Sequence, residues 1–215
     1  MKNIQSQVRQ LIENNLAVRK LLKEDLVNVR ALARKFLKTY HLDCSMEAVI
    51  SAIRRYDDTI KAHDPLETIY KLLKNAKLTS RMKLCALLIR KNRDTRKQLF
   101  GLVANIDYEG GDVLRIFEVT KYFKVISDQK LLPMLKKVFK EADIIQIDMK
   151  LSELTVMYES DITKIPGLFA MLSNELGAND VSIVDSMICH DEHIIIISEK
   201  DTKRAFDVVF DLLHR

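Results

Sequence analysis

The strongest constraint in this sequence is a pattern of elements that occurs twice after residue 80. In each copy an apolar strand leads to a helix, a turn, two strands and a second helix. The letters repeat as well: Asp112-Val113 corresponds to Asp180-Val181, and Val138-Phe139 corresponds to Val209-Phe210. The first correspondence has an offset of 68 residues and the later one of 71. Short α/β segments also resemble one another by chance, but the pattern favours two copies of one βαββα unit.

This repeat defines the expected organisation of the chain. Residues 1–76 show apolar positions at helical spacing, and residues 75–80 are expected to be a linker. The first βαββα unit is placed at 81–150 and the second at 151–215. The sequence therefore predicts an α+β protein, with an N-terminal helical domain followed by two ferredoxin-like units.

The charge of the chain changes along its length. Residues 1–80 carry 15 basic against 9 acidic side chains, residues 81–150 carry the same numbers, and residues 151–215 carry 5 against 12. A basic first part and an acidic last part imply different partners for the two ends, and phosphate groups are not expected near the last unit.

Several classes of protein do not fit this composition. No apolar stretch approaches the roughly 20 residues of a membrane span, and the first residues lack the apolar core of a signal peptide. The three cysteines are scattered, with no CxxC pair, which argues against a disulfide framework. We therefore expect a cytoplasmic protein that does not bind membranes.

The last unit has Pro166-Gly167 at the start of its first helix, Gly177-Ala178 where this helix ends, and an acidic start of its last helix at residues 198–205. These features, together with residues 161–181 as a whole, carry a resemblance to the ACT-domain family, especially its aspartokinase-like branch. It covers about 65 residues well, and it extends weakly over 81–150, where no Pro-Gly is present. The first unit is therefore expected to be structural.

The resemblance implies a site for a small ligand, normally an amino acid, shared across a subunit or repeat interface. Its residues here would be Asp161, Pro166, Gly167, Leu168, Asn179, Asp180 and Val181. Independently of the family, a Pro-Gly helix start leaves backbone N–H groups open to a carboxylate. The alternative is that Pro166-Gly167 only begins a helix tightly and that the units serve for dimerisation.

The helical domain contains the outline of a helix-turn-helix at residues 25–56. Arg30, Arg34 and Lys38 recur at i, i+4 and i+8 on its first helix and are expected to meet a DNA backbone. Ser45 is expected to cap the second helix. Its outer face is predicted to carry Ala48, Ser51, Ala52 and Arg55, where small side chains allow close approach to double-stranded DNA and Arg55 reads a base or a phosphate. Arg54 adds further charge for DNA binding at the end of this helix.

This stretch is similar to the N-terminal helix-turn-helix regions of archaeal regulatory proteins that carry ACT domains. The similarity is one of pattern, and the turn lacks the usual central glycine. Basic residues late in a helix also suit its dipole, and a charged outer face can be merely solvated. The sequence is compatible with both DNA binding and a merely solvated surface.

No catalytic motif is recognisable in the sequence. P-loop, GxGxxG, HExxH and GxSxG strings are absent. Residues 189–193, Cys-His-Asp-Glu-His, hold five possible metal ligands, but neighbouring residues on opposite faces of a strand cannot converge on one ion, so this segment is expected to be a polar hairpin tip. His41 with Cys44 is a weaker case of the same kind. Neither an enzyme, nor a metal site, nor a cofactor is expected.

Taken together, the sequence predicts an amino-acid-responsive transcriptional regulator that acts as a homodimer. The N-terminal domain would bind DNA, and the ACT-like units would dimerise and sense the ligand. The alternative is a regulatory or scaffold subunit that binds another protein through its helices and uses the ACT-like units only for oligomerisation.

Overall fold

A computed structural model describes residues 3–62 and 65–214, which form two compact units divided between Thr68 and Ile69. The first unit is helical. Its helices and the helix that crosses the division are α1 (Ile4–Glu13), α2 (Leu16–Lys23), α3 (Val29–Tyr40), α4 (Met46–Ala62) and α5 (Pro65–Lys74).

Local capping explains where the first helices begin. Side chains of Asn3, Asn15 and Asn28 accept hydrogen bonds from backbone N–H groups in the first turns of α1, α2 and α3. Ser45 Oγ accepts one from Ala48 N at 3.2 Å, so the predicted cap of α4 is confirmed. The helices then enclose a core that includes Val8, Ile12, Leu32, Phe36, Val49 and Ile53.

The second unit is a six-stranded antiparallel sheet with helices. The strands are β1 (Lys77–Arg90), β2 (Leu114–Glu118), β3 (Tyr122–Asp128), β4 (Ile144–Met157), β5 (Ile183–Cys189) and β6 (Glu192–Ser198). The helices are α6 (Arg93–Val103), α7 (Leu132–Val138), α8 (Leu168–Ala178) and α9 (Thr202–Leu213). The strand order is β2-β3-β1-β4-β6-β5, so β1 and β4 pair at the centre.

The βαββα order occurs twice, but the two copies share one sheet. β1 and β4 are both longer than expected, and each pairs with strands of both copies. The expected linker at 75–80 was wrong over most of its length, because Lys77–Ser80 pair with Leu154–Met157 of β4. β4 also runs through positions 150 and 151, where the sequence placed the boundary between the copies.

A matching irregularity marks the two central strands. Lys83 and Lys150 have positive φ angles of 61° and 57°, and both lie where the β1–β4 register shifts. Leu84, which follows the first, pairs with Leu151, which follows the second. Each strand therefore carries a β-bulge at the same place in the repeat, and β4 has a further register shift at Ile145, between the pairs Leu88–Gln146 and Ile89–Ile144.

The register also corrects the sequence alignment of the later elements. Leu84 pairs with Asp128, whereas its counterpart Leu151 pairs with Ser198. Asp128 therefore corresponds to Ser198, one position away from the offset predicted by sequence letters. A shift of one residue exchanges the two faces of a strand, and the structural alignment places buried Ile126 with buried Ile196.

The two faces of the sheet both hold apolar side chains. Cys85, Leu87 and Ile89 of β1 pack with Leu99 and Leu102 of α6 and with residues of α7. The alternate positions of the strands form a second cluster on the other face, composed of Leu84, Ala86, Ile126, Leu151, Ile194 and Ile196, all at most 5 % exposed. Both faces of this sheet therefore contribute to the core.

No helix within residues 3–62 and 65–214 is long and apolar enough to cross a membrane.

Candidate functional site

The N-terminus of α8 is the part of the second copy where the sequence predicts a ligand site. Gly167 directly precedes the helix with a φ angle of 89°, a left-handed conformation that favours glycine. No side chain of the described residues caps this end by a hydrogen bond. Leu168 is buried, while Pro166 is exposed. The first-turn N–H groups of α8 therefore have no side-chain acceptor.

The corresponding helix of the first copy begins in a different way. Asn92 Oδ1 accepts hydrogen bonds from Asp94 N and Thr95 N, both at 2.9 Å, and Thr95 Oγ1 accepts one from Asn92 N at 3.0 Å. This capping box occupies N–H donors in the first turn of α6, whereas the equivalent donors of α8 have no side-chain acceptor among the described residues. The two copies therefore differ at the position where a ligand is expected.

Asp161 lies in the loop that leads to α8. Its Oδ1 accepts hydrogen bonds from Thr163 N at 2.9 Å and from Thr163 Oγ1 at 2.5 Å. These hydrogen bonds, aided by the neighbouring His190 and Lys164 side chains, lower the pKa of the Asp161 carboxyl. Asp161 is therefore a carboxylate at neutral pH, with Oδ2 accepting no hydrogen bond from the described residues.

The other half of the predicted ligand site lies elsewhere. Asn179, Asp180 and Val181 follow the C-terminal end of α8, whereas Gly167 precedes its N-terminal end. An 11-residue helix is about 16 Å long. A single chain therefore does not bring the two halves together, and Val181 is itself buried in the core.

Three buried polar atoms of the second copy have no hydrogen-bond partner among the described residues: Tyr158 Oη, Ser173 Oγ on α8 and His193 Nδ1. His193 is fully buried, its Nε2 lies 2.9 Å from Ser186 Oγ, and its ring lies 5.4 Å from that of Phe169 in the first turn of α8. Native proteins rarely leave buried polar atoms unpaired unless a water or a ligand reaches them. The interior of the second copy therefore contains unpaired polar groups, of which Ser173 lies on α8 and His193 lies next to Phe169 of this helix.

Burial governs the titration of this interior. Loss of solvation lowers the pKa of His193 to about 4, and it raises the pKa of Tyr158. Both groups are neutral near pH 7. Sequence reasoning missed them, although the signal was present: His193 begins the apolar run at residues 194–197, at a position where the alternation of β6 turns its side chain towards the helices.

The predicted DNA-contacting residues of α3 are all on its outside. Arg30, Arg34 and Lys38 are exposed, and they alternate with Leu32, Ala33 and Phe36, which are buried. The helix thus presents one basic row along the face opposite its core contacts.

The predicted surface of α4 is only partly correct. Ser51, Arg54 and Arg55 are exposed and Ala48 is half-buried, but Ala52 is 5 % exposed and belongs to the core. Ala52 precedes Ile53, and the buried stripe of this helix is wide enough to include both. α3 and α4 are joined by residues 41–45, in which His41 adopts a positive φ of 49°.

The segment with five possible metal ligands is centred on a hairpin tip, as predicted, but its last residue, His193, is a buried residue of β6. β5 ends at Cys189 and β6 begins at Glu192, so His190 and Asp191 form the turn and pair with each other at 3.3 Å. Among the described residues, no group of three or more His, Cys, Asp or Glu side chains is arranged to hold a metal ion.

Comparisons with known proteins identify the fold of the second unit. No protein-family profile matches the sequence, and no curated protein is significantly similar to it. Among solved structures, the chain is similar to the aspartate kinase of Clostridium acetobutylicum, described as an allosteric enzyme, with a TM-score of 0.52 and 12 % identity. The match covers 63 % of this chain and 34 % of the kinase, so this chain corresponds to about a third of that enzyme's length.

Two further matches cover regulatory proteins almost completely. The aspartokinase alpha and beta subunits match with a TM-score of 0.52 and 13 % identity, over 65 % of this chain and 94 % of theirs. The regulatory subunit of aspartate kinase from Thermus flavus matches with a TM-score of 0.51 and 10 % identity, over 63 % and 95 %. The α+β unit therefore has the fold of ACT-domain regulatory subunits of aspartokinases, at identities that establish the fold alone.

Proposed function

We propose that this chain is an amino-acid-responsive regulator, in which the second copy of the repeat senses the ligand and the helical unit binds DNA. It would act by binding and not by catalysis. The observation that carries the sensing half is the difference between the two helix starts, since α6 is closed by its own capping box and α8 is left open.

The chemistry around α8 suits a zwitterion. Open N–H groups in the first turn of a helix attract a carboxylate, and the helix dipole adds to this attraction. Asp161, which lies in the loop before the same helix, supplies a negative charge that suits an ammonium group. The unpartnered atoms of Tyr158, Ser173 and His193 offer hydrogen bonds to a polar side chain or to waters around it. Asn179 and Asp180 would complete such a site only from a second copy in a homodimer.

A thermal-shift screen against the common amino acids tests the sensing half. A ligand present at 100 times its dissociation constant should stabilise the fold by roughly 2.7 kcal/mol. The response should disappear in Asp161→Asn and persist in Asp94→Asn, which changes an acidic residue at the start of the closed helix α6. If no amino acid raises the melting temperature of the wild-type chain, the sensing proposal fails.

The DNA-binding half rests on the basic row of α3. Arg30, Arg34 and Lys38 are spaced to follow a phosphate backbone, while Ser51 and Arg54 on α4 are exposed and small or charged enough to meet base edges. We propose that α3 positions the unit and that α4 reads the DNA. A ligand that changes the spacing of two such units in a dimer would change their joint affinity.

A salt titration of duplex binding separates this proposal from others. The logarithm of the affinity should fall linearly with the logarithm of the salt concentration, because bound phosphates release counterions. Replacing Arg30, Arg34 and Lys38 together (R30Q/R34Q/K38Q) should reduce the magnitude of this slope by about 2 to 3, because each phosphate contact contributes about 0.9 to it. Lys97→Gln on α6 should leave the slope unchanged. Absence of any complex at low salt would remove the DNA-binding half.

The alternative function is docking of another protein on the helical unit, and one observation favours it. Leu26 is 66 % exposed and Leu21 is 42 % exposed, and Leu26 N donates to Leu21 O at 2.9 Å, so the two side chains belong to one short turn. A protein partner held there would be released by Leu26→Ser, whereas duplex DNA would be released by the triple substitution of α3.

A further inference from the structure

In the described part of the chain, half of each central strand has no neighbouring strand on its outer side. β3 pairs with β1 only over Leu84–Arg90, and β6 pairs with β4 only over Leu151–Met157. The segment 77–83 of β1 and the segment 144–150 of β4 therefore each have an outer edge with no adjacent strand within the described residues. The repeat relates these two edges, and the bulges at Lys83 and Lys150 lie where each begins.

Both edges are exposed to solvent. Met82 is 48 % exposed on β1, and its counterpart Met149 is 45 % exposed on β4, where Ile145 is 42 % exposed as well. An unpaired strand edge offers a row of backbone donors and acceptors to another strand, and proteins usually protect such edges with charge.

Only one of the two edges has this protection. The β1 segment carries Lys77, Arg81 and Lys83 and no acidic residue, so two copies of it would repel each other. The β4 segment reads Ile-Ile-Gln-Ile-Asp-Met-Lys, in which Asp148 and Lys150 balance each other and most other positions are apolar. Self-repulsion is therefore absent from the β4 edge.

We propose that the outer edge of residues 144–150 in β4 pairs with the same edge of a second copy of this chain, antiparallel and around a two-fold axis. An isologous contact of this kind closes on itself and forms a dimer without extending into a fibre. The inference names the surface for the homodimer contained in the proposed function, and it requires neither the amino acid nor DNA.

The segment is complementary to itself in the register centred on Ile147. In that register Ile145 faces Met149 of the second copy, which joins two exposed apolar side chains. Gln146 faces Asp148 of the second copy, which opposes an amide donor and a carboxylate. Within one chain these two already form a hydrogen bond of 2.7 Å, from Gln146 Nε2 to Asp148 Oδ1. Cross-strand pairs of these kinds are the unit of sheet stabilisation.

A groove beside the edge provides room for the incoming strand. It has a volume of about 410 Å3 and is lined by Lys136 and Glu141 together with Ile144, Ile145, Gln146 and Ile147. Lys150 of the second copy would reach the end of this groove that lies beyond Ile144, and Glu141 supplies a negative charge there. The groove thus combines an apolar lining with one basic and one acidic side chain, and the segment itself carries one of each in Lys150 and Asp148.

Sedimentation velocity of the full chain over a wide range of concentration tests this interface. We expect a reversible dimer, and in I145K/M149K a dissociation constant at least tenfold higher, because lysines then face each other across the axis. Met82→Lys places the same charge at the equivalent bulge of β1 and should leave the dimer unchanged. A chain that is monomeric throughout, or a dimer that tolerates I145K/M149K or is lost in M82K, would overturn the proposal.

Hydrogen exchange of the wild-type chain gives a second measurement that does not depend on the folding of a variant. Amides within 144–150 should exchange more slowly as the concentration rises, whereas those within 77–83 should not change. A second arm adds a synthetic peptide of unrelated β-forming sequence. If the chain stays monomeric and hydrogen exchange within 144–150 is slowed only by this peptide, the edge binds another partner and self-pairing is wrong. A monomer that still binds an amino acid would overturn the interface and leave the sensing proposal intact.

Discussion

Lys124 on β3 and Asp185 on β5 form an ion pair although β1, β4 and β6 lie between their strands. Four inter-strand steps span about 19 Å in a flat sheet, which is more than these two side chains reach together. The sheet must therefore curl strongly towards the face opposite the helices. This curl explains why Leu84 and Ile126 on that face are fully buried.

A second ion pair closes the same face. Arg115 on β2 binds Glu153 on β4 through Nε at 3.2 Å and Nη2 at 3.1 Å, and this hydrogen bonding raises the pKa of Arg115. Arg115 and Asp185 hold equivalent positions in the two edge strands, opposite Ile126 and Ile196. Each pair joins one copy of the repeat to the other, so together they hold the edges of the sheet over the central apolar cluster.

Lys124→Met should lower the free energy of unfolding by about 1 to 2 kcal/mol, between the values typical of exposed and buried ion pairs. Both side chains of the pair are less than one third exposed, so the remaining Asp185 is left partly buried without its partner. Urea denaturation measures the change. Lys203→Met, which breaks an exposed pair with Asp207 on α9, is the matched control and should have no measurable effect. Equal costs for the two variants would show that the Lys124 pair does not hold the curl.

Arg115→Met should be more damaging, at about 3 kcal/mol, because it leaves the carboxylate of Glu153 buried with Thr155 Oγ1, at 3.2 Å, as its one remaining donor among the described residues. The double variant R115M/E153M removes both charges and should recover most of this loss. The two variants are compared by chemical denaturation at neutral pH. A double variant as unstable as the single one would mean that packing of the Arg115 side chain, and not the buried charge, is responsible.

Much of the second unit could be predicted from its sequence, because its apolar patterns are strong. The hairpin of β5 and β6 follows from two runs around a polar turn, and α8 and α9 follow from helical spacing. The long central strands could not be predicted in full. The segments 77–83 and 144–150 are exposed on much of their surface and mix charged with apolar residues, so they give neither a buried run nor a clean alternation.

The bulges and the buried polar atoms could not be predicted from the sequence, for different reasons. Lysine is not a residue that favours positive φ, so Lys83 and Lys150 carry no local signal of a bulge. His193 was grouped with the polar hairpin tip at residues 189–193, because one residue of register decides whether a strand residue faces solvent or the helices. Asn92 and Thr95, by contrast, could have been recognised as a capping box from their spacing alone.

The buried imidazole of His193 should make the fold sensitive to mild acid. The unfolded chain binds a proton at the ordinary histidine pKa of 6.5, whereas the folded chain does so only near 4. The contribution of this group is therefore fully present above pH 6.5 and is lost as the pH falls. Between pH 7 and pH 5 the loss should be about 2 kcal/mol.

Urea denaturation of the wild-type chain and of His193→Gln at these two pH values measures this effect. The variant should be less stable at pH 7 but should lose less stability on going to pH 5. His190→Gln, at the exposed hairpin turn, should behave like the wild type. If His193→Gln shows the same pH dependence as the wild-type chain, other groups govern the acid response.

Two glycines at opposite ends of α8 should respond to alanine with opposite signs. Gly167 has a φ of 89°, so Gly167→Ala should cost about 1 kcal/mol through backbone strain, since an added Cβ would lie 3.6 Å from Ile69 Cδ1 without a clash. Gly177 is helical with no atom within 4 Å of an added Cβ, so Gly177→Ala should gain about 0.5 to 1 kcal/mol. Thermal denaturation of the two variants checks both signs.

The same two variants should also differ in their response to an amino acid. Because the left-handed turn at Gly167 orients the open N–H groups of α8, Gly167→Ala should abolish the thermal response to an amino acid, while Gly177→Ala should keep it. A neutral Gly167→Ala that still responds would show that the turn is not needed to form the site.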